Sequence, residues 1–150
     1  MSVLVRGEKS EAVGTDSEVR APKDGEVIDA GGKVLLPGMW DMHVHVLDQA
    51  EGAMQLLAGI TTVRDLGNDP DALKRITTQF DDGTLPGARV LNAGLIDRRG
   101  ELAVPTGKLV GTVAEMQEAV NAYADQGYRQ VNLYSSLSRG LLAGGHPTAR

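Results

Sequence analysis

The sequence predicts an α/β fold, because segments with the period of a β-strand alternate with segments with the period of an α-helix from Pro37 onward. Three amphipathic stretches with helix start or stop residues separate the strand candidates. Repeated β-α units of this kind imply parallel strands joined by right-handed crossovers. The strand candidates are Asp41 to Val46, Ile60 to Arg64, Ala88 to Ala93 and Gln130 to Ser135.

Residues 1 to 36 have a different pattern and predict a small β appendage. Val3 to Val5 has the composition of a short strand. Glu26 to Ala30 and Lys33 to Leu36 flank Gly31-Gly32, a two-residue turn signal, and therefore predict a hairpin. The polar segment between these two predictions has no periodicity, so no packed element is expected there.

The three predicted helices each carry a boundary signal. The first, from Ala50 to Ala58, is followed directly by a glycine, the residue that most often ends a helix. The second begins at Asp69 with Pro70 in its first position, where proline is favoured. The third begins at Thr112, and Glu115 three residues later completes a capping box.

Composition narrows the classes of function. The chain has 150 residues, 41% hydrophobic and 23% charged, which is typical of one soluble globular domain with a small appendage. A formal net charge of -5 without a basic cluster argues against nucleic acid or an anionic membrane as partner, so a small-molecule substrate is expected. The absence of cysteine excludes disulfide scaffolds and thiolate-bound zinc. No segment resembles a signal peptide or a bilayer span, so a cytoplasmic location is expected.

The stretch from Pro37 to His45 contains the main candidate site. Asp41, His43 and His45 occupy alternate positions of a strand that we expect to be buried, so their side chains should share one face. Neutral imidazoles suit zinc or a similar divalent ion. The pattern therefore predicts half of a metal site, although a lone His-x-His pair also occurs where histidines simply end a strand.

The motif Pro37-Gly38-x-x-Asp41-x-His43-x-His45, followed by the runs 58–67 and 127–136, resembles the amidohydrolase superfamily near its imidazolonepropionase-like and prolidase-like members. The resemblance extends from Gly31 to about Leu137. It implies a metal-dependent (β/α)₈ TIM-type barrel, of which this chain would hold about four β/α units. It also implies hydrolysis of C–N bonds in amides, cyclic amides or Xaa-Pro dipeptides by water activated by zinc-like ions.

The same resemblance implies roles for particular residues. His43 and His45 would be metal ligands, and Asp41 would orient them from behind. The lysine that the family commonly carboxylates at the end of its fourth strand corresponds here to Asn132, which cannot bridge two metals in that way. Asn132 is then either a weak neutral ligand or a hydrogen-bonding residue of the sheet. Asp65, just past the second strand, is expected to stabilise a turn.

The resemblance covers only the front part of such a barrel. We expect a β appendage over residues 1–36, half a barrel over 37–137 and a disordered tail over 138–150. The family's later ligands would follow the fourth strand, and His146 is expected to be a tail residue. The leading interpretation is therefore that the chain is the N-terminal part of an amidohydrolase-type hydrolase and is inactive alone. Both retention and loss of the metal in this chain stay open.

Two other interpretations remain open. A half barrel leaves the edges of its first and fourth strands unpaired, which predicts a non-catalytic binding or assembly module that pairs with a second copy or a complementary fragment. Alternatively, dimerisation completes an enzyme site, with His146 or Asn132 as a further ligand. The long segment from Gly94 to Gly111 either covers a site or is a disordered excursion.

Overall fold

The computed structural model describes residues 1–144, so His146 lies outside the described residues. The chain divides into two compact units, Met1–Leu36 and Pro37–Arg150. Each helix within residues 1–144 falls short of the length and apolar character that a bilayer span requires.

The first unit contains an antiparallel hairpin. Strand β1 (Ser2–Arg6) pairs with β2 (Lys9–Gly14), and the turn between them contains Gly7 with a φ of 58°. Glycine adopts a positive φ without the steric cost that a Cβ brings. The strand predicted at Val3 to Val5 is confirmed, whereas β2 lies in the polar segment for which the sequence predicts no packed element.

The hairpin predicted over residues 26–36 is wrong, although its turn is present. Gly31 and Gly32 have φ values of 56° and 77°, and the Lys33 N–H donates to the Ala30 carbonyl at 2.9 Å. The flanking segments form no strand, and apolar side chains there, such as Ile28, are exposed. A tight turn alone does not hold two strands together when their arms bury no apolar face.

The second unit alternates strands and helices, and the three predicted helices and four predicted strand positions are confirmed with small shifts at their ends. Strands β6 and β7 and helix α4 are additional. The elements in order are β3 (Met39–Val44), α1 (Ala50–Leu57), β4 (Ile60–Asp65), α2 (Pro70–Asp81), β5 (Arg89–Asn92), β6 (Gly94–Arg98), β7 (Lys108–Val110), α3 (Val113–Asp125), β8 (Val131–Leu133) and α4 (Arg139–Gly144).

The strands of the second unit form two parallel sheets, in the orders β3-β4-β5 and β7-β6-β8. Only Ala93 separates β5 from β6, and its N–H donates to the Asp65 carbonyl at 2.8 Å. One bent strand therefore belongs to both sheets and places β3, β4, β5/β6 and β8 in chain order. The parallel sheets confirm the predicted α/β architecture.

The helices begin where the sequence signals predict. Asp69 caps α2 by accepting a hydrogen bond from the Ala72 N–H at 2.8 Å, and Pro70 occupies the first turn. Thr112 and Glu115 form the predicted capping box at the start of α3. These local bonds satisfy N–H groups that would otherwise have no partner in the helix.

Two apolar clusters hold the helices against the sheets. Burial of an aliphatic or aromatic side chain stabilises a fold by about 1.5–3 kcal/mol, so each cluster supplies a large share of the stability. The first cluster lies around β4 and α2, next to the end of β3 and the start of β5, and contains Val46, Val63, Leu73, Phe80 and Ala88. The second cluster, around α3, contains Ile96, Val110, Met116, Ala119, Tyr123, Leu137 and Leu141.

Ordered structure corrects one prediction of disorder and decides against a second interpretation that the sequence leaves open. The tail predicted over residues 138–150 forms helix α4 over Arg139–Gly144, because Leu141 is buried in the second apolar cluster. The segment from Gly94 to Gly111 contains β6 and β7, so it is not a disordered excursion. Residues 145–150 lie outside the described part of the chain.

Candidate functional site

His43 and His45 lie together at the carboxyl end of β3. His43 is inside the strand and His45 follows it, and their ring centroids are 5.6 Å apart with the planes at 75°. Val44 and Val46 pack into the first apolar cluster, which leaves the two imidazoles on the other side of the chain. Both histidines are exposed, so the expectation of a buried strand is wrong at this point.

The spacing of the two rings fits binding of one ion. A Zn–N bond of about 2.0–2.1 Å and a tetrahedral angle place the centroids of two imidazole ligands roughly 5 Å apart. The observed separation of 5.6 Å is close to that value. Within residues 1–144, however, no group of three or more His, Asp or Glu side chains could hold a metal ion, so the described residues supply only part of a ligand set.

Asp41 bonds the main chain of this segment. Its Oδ1 accepts a hydrogen bond from the His43 N–H at 3.0 Å. The pairing of β3 with β4 matches Asp41 to Val63 and Val44 to Asp65, so β3 holds one extra residue, as in a β-bulge. The bulge interrupts the strict alternation on which the predicted common face of Asp41 and the histidines depends.

Asp65 is a fully buried carboxylate at the end of β4, with an exposure of 0%. Its Oδ2 accepts from the Val46 N–H at 2.7 Å, and its Oδ1 accepts from the Gly67 N–H at 3.0 Å. The second bond is the turn-stabilising contact expected from the sequence. The first reaches the residue that follows His45, a contact that sequence reasoning missed.

Asn132, the candidate weak ligand, is half-buried on β8. Its Nδ2 donates to the carbonyl of Leu66, the residue after β4, at 2.7 Å. The side chain therefore connects two strands, as in the hydrogen-bonding interpretation of this residue. Its Oδ1 is the atom that a metal-binding role requires.

Asp97 is a second buried carboxylate that sequence reasoning missed, and it lies on β6 with an exposure of 1%. It accepts hydrogen bonds from the Arg98 N–H at 2.7 Å, from the Val104 N–H at 3.0 Å and from the Ser136 hydroxyl. Burial alone would raise the pKa of Asp97, but these donors hold that pKa below its usual value. The sequence did contain a signal for Asp97, since an acidic residue follows the apolar pair Leu95-Ile96 at the end of a strand. Asp65 follows Val63 at a strand end in a similar way.

Comparisons with known proteins give partial matches. No protein-family model matches the chain. A dihydroorotase of Lactobacillus johnsonii is 43% identical over 49 residues, which are 33% of this chain and 10% of that protein. An N-substituted formamide deformylase of Arthrobacter pascens is 47% identical over 47 residues, which are 30% of this chain and 9% of that protein.

Solved structures share the fold over most of the chain. A candidate prolidase from Bifidobacterium longum superposes with a TM-score of 0.73 and 21% identity over 96% of this chain and 41% of its own. Molinate hydrolase superposes with a TM-score of 0.70 and 18% identity over 95% of this chain and 45% of its own.

The chain thus spans about a tenth of each of these curated relatives and less than half of each structural neighbour. The aligned fold has parallel strands with helices between them, and the His-x-His segment lies at a strand end within it. Taken together, these partial matches indicate a relationship to the amidohydrolase superfamily over part of the length of its members.

Proposed function

We propose that the chain is part of an amidohydrolase-type hydrolase in which His43 and His45 bind a divalent metal, with zinc as the expected ion. One observation carries the proposal: two imidazoles lie 5.6 Å apart at the carboxyl end of a parallel strand. In β/α barrels the active site lies at the carboxyl ends of the strands. The four neighbouring strands β3, β4, β5/β6 and β8 are then the first half of a (β/α)₈ barrel.

The expected substrates contain a C–N bond in an amide, a cyclic amide or an Xaa-Pro dipeptide. The name of one relative specifies deformylation of N-substituted formamides, and one structural neighbour is a bottromycin amidohydrolase. Another neighbour is a Xaa-Pro dipeptidase. The two histidines do not complete a catalytic site, so we propose that the chain is inactive alone and that the further ligands come from residues other than those of this chain.

The residues of this chain contribute binding and positioning. A zinc ion, when bound, supplies a coordinated water with a pKa near 7 as the nucleophile. His43 and His45 would hold the ion through ring nitrogens at an exposed strand end, where a small substrate can approach. Asp41 holds the His43 backbone, and the apolar cluster behind β3 keeps Val44 and Val46 fixed.

Zinc titration of the full chain tests this proposal. Wild-type chain is expected to bind Zn²⁺, and His43→Ala and His45→Ala are each expected to weaken binding by about 10-fold or more, because a ligand is lost. His146→Ala is the control histidine and should leave the affinity unchanged; a loss in this variant would instead favour the dimer-completed site. Equal zinc binding by wild type and His43→Ala would contradict the metal role. Turnover of N-substituted formamides by the chain alone would contradict its inactivity.

A second candidate function, a non-catalytic assembly module, is favoured by exposed apolar side chains on the outermost strands. Within residues 1–144, β3 pairs only with β4, and β8 pairs only with β6. Met39, Trp40 and Leu133 on these strands are exposed by 55%, 58% and 43%. Unpaired edges with apolar side chains favour strand pairing with a second copy or a complementary β/α segment. A monomer at all concentrations in light scattering would contradict self-pairing.

A further inference from the structure

The main chain around the two histidines is held by side chains from β4 and the turn after it. The Arg64 guanidinium donates to the Met42 carbonyl at 2.8 Å, on the N-terminal side of His43. Asp65 accepts from the Val46 N–H, and Asn68 donates to the Val46 carbonyl, on the C-terminal side of His45. Side chains therefore help to hold the end of β3 against β4, where the bulge makes the backbone hydrogen bonds between the two strands irregular.

We infer that Asp65 is the positioning residue of the His43–His45 pair: by fixing the peptide group between His45 and Val46, it sets how the two imidazoles face each other. For a bound metal this inference rests on the proposed function. The relative placement of the two rings is a property of the chain itself.

Asp65 can serve this role because its carboxylate joins the two strand ends directly. One oxygen holds Val46, after β3, and the other holds Gly67, after β4. The Leu66 N–H between these contacts donates to the Val44 carbonyl at 3.1 Å, which extends the parallel ladder to the strand end. Asp65 has an exposure of 0%, and a buried carboxylate without hydrogen-bond partners is costly, so its two bonds define the geometry closely.

A third strand supports the same arrangement. Asn132 of β8 donates to the Leu66 carbonyl at 2.7 Å, in the peptide group between Leu66 and Gly67. The connection runs from β8 through the turn after β4 to the residue after His45. In this arrangement Asn132 supports the histidine pair from behind, without being a ligand itself.

The test compares Asp65→Asn with Asp97→Asn in the full chain. Both variants replace a buried carboxylate that accepts backbone N–H bonds, but Asp97 contacts Arg98, Val104 and Ser136 and not the histidine segment. Three quantities are measured: the nuclear Overhauser effect between the two imidazole rings, the exchange rate of the Val46 amide, and the affinity for Zn²⁺.

We expect Asp65→Asn to abolish the ring-to-ring effect, speed Val46 exchange about 10-fold or more, and weaken zinc binding about 10-fold, as when a group behind a ligand is lost. Asp97→Asn should leave the ring-to-ring effect and the zinc affinity at wild-type values even if it lowers stability equally, and Val46 exchange should speed up in it by no more than that loss of stability explains. An unchanged ring-to-ring effect in Asp65→Asn, or the same change in both variants, would overturn the inference.

The outcome for zinc separates this inference from the proposed function. If wild type binds no Zn²⁺ while Asp65→Asn still abolishes the ring-to-ring effect, the metal role fails and the positioning role stands. If Asp65→Asn does not fold, Asp65→Glu replaces it, because this change keeps the charge but displaces the two oxygens that accept from the Val46 and Gly67 N–H groups by one methylene. That variant is expected to weaken the ring-to-ring effect and speed Val46 exchange, and wild-type values for both would overturn the inference.

Discussion

At the scale of single residues, Gly94 lies where the bent strand passes over the ring of Tyr123. A Cβ built at Gly94 would come within 2.5 Å of ring carbons of Tyr123, which is 2% exposed and donates its hydroxyl to the Leu95 carbonyl at 3.0 Å. Because the ring is anchored at both ends, it cannot move aside without breaking contacts. The close contact between this strand and the Tyr123 ring therefore requires the absence of a side chain at position 94.

Gly94→Ala is expected to lower the free energy of unfolding by about 1–3 kcal/mol, the usual cost of overfilling a packed core. Gly100→Ala is the matched control, because a Cβ there would meet no atom within 4 Å. Urea denaturation of both variants measures the difference. Equal stability losses would show that the contact with Tyr123 is not the cause.

The lowered pKa of Asp97 predicts that the folded chain loses stability in acid. Its pKa in the folded chain lies below the usual value despite burial, because Ser136 and two backbone N–H groups donate to it. A carboxylate whose pKa is lower in the folded chain stabilises the fold fully at a pH above its unfolded-state pKa, which is about 4. This stabilisation is lost as the pH falls toward the folded-state pKa. The unfolding free energy of wild type should therefore fall with pH in this acid range.

Asp97→Asn should lower stability at pH 7 by about 2 kcal/mol, since charge-assisted hydrogen bonds are lost, and should flatten the fall below pH 4. Ser136→Ala should also lower the unfolding free energy, but by less. Denaturation curves collected from pH 7 to pH 2 provide the measurement. Parallel curves for wild type and Asp97→Asn would rule out Asp97 as the source of the acid dependence.

At the scale of elements, local signals predict helices well and strand pairing poorly. The capping box of Thr112 and Glu115 is readable because both partners lie within one helical turn. The Gly31-Gly32 turn is also read correctly, yet its arms do not pair, since pairing depends on burial that a turn signal does not encode. Strand β6 is not predicted from the sequence, because the chain bends at Ala93 without a loop that would mark where β5 ends and β6 begins.

Helix α3 offers a direct test of a local signal. Thr112→Ala removes the side-chain oxygen that accepts from the Glu115 N–H at 3.2 Å, so the unfolding free energy should drop by about 1 kcal/mol. Glu118→Ala, at an exposed position of the same helix without a capping bond, is the control and should change stability little. Chemical denaturation compares the two, and a loss in Glu118→Ala as large as that in Thr112→Ala would remove the capping explanation.

At the scale of the whole molecule, the site divides into a part that the sequence predicts and a part that it does not. His43 and His45 are two residues apart, so strand geometry alone predicts their proximity. The bond from Val46 to Asp65 joins residues 19 apart, and that from Ser136 to Asp97 joins residues 39 apart. Such contacts depend on strand register and on the bulge in β3, which arise only when the sheets assemble.

Association of the chain can be followed through Trp40, its single tryptophan, which lies on β3 with an exposure of 58%. If β3 pairs with a second copy, the indole leaves water, so its emission should shift to shorter wavelength as the protein concentration rises. Met42→Lys places a charge on the same strand and should abolish the shift, because charged side chains disfavour edge pairing. Leu102→Lys, at a side chain exposed by 96% in the loop after β6, is the control and should retain it. A shift that survives Met42→Lys would show that copies of the chain meet elsewhere than at the β3 edge.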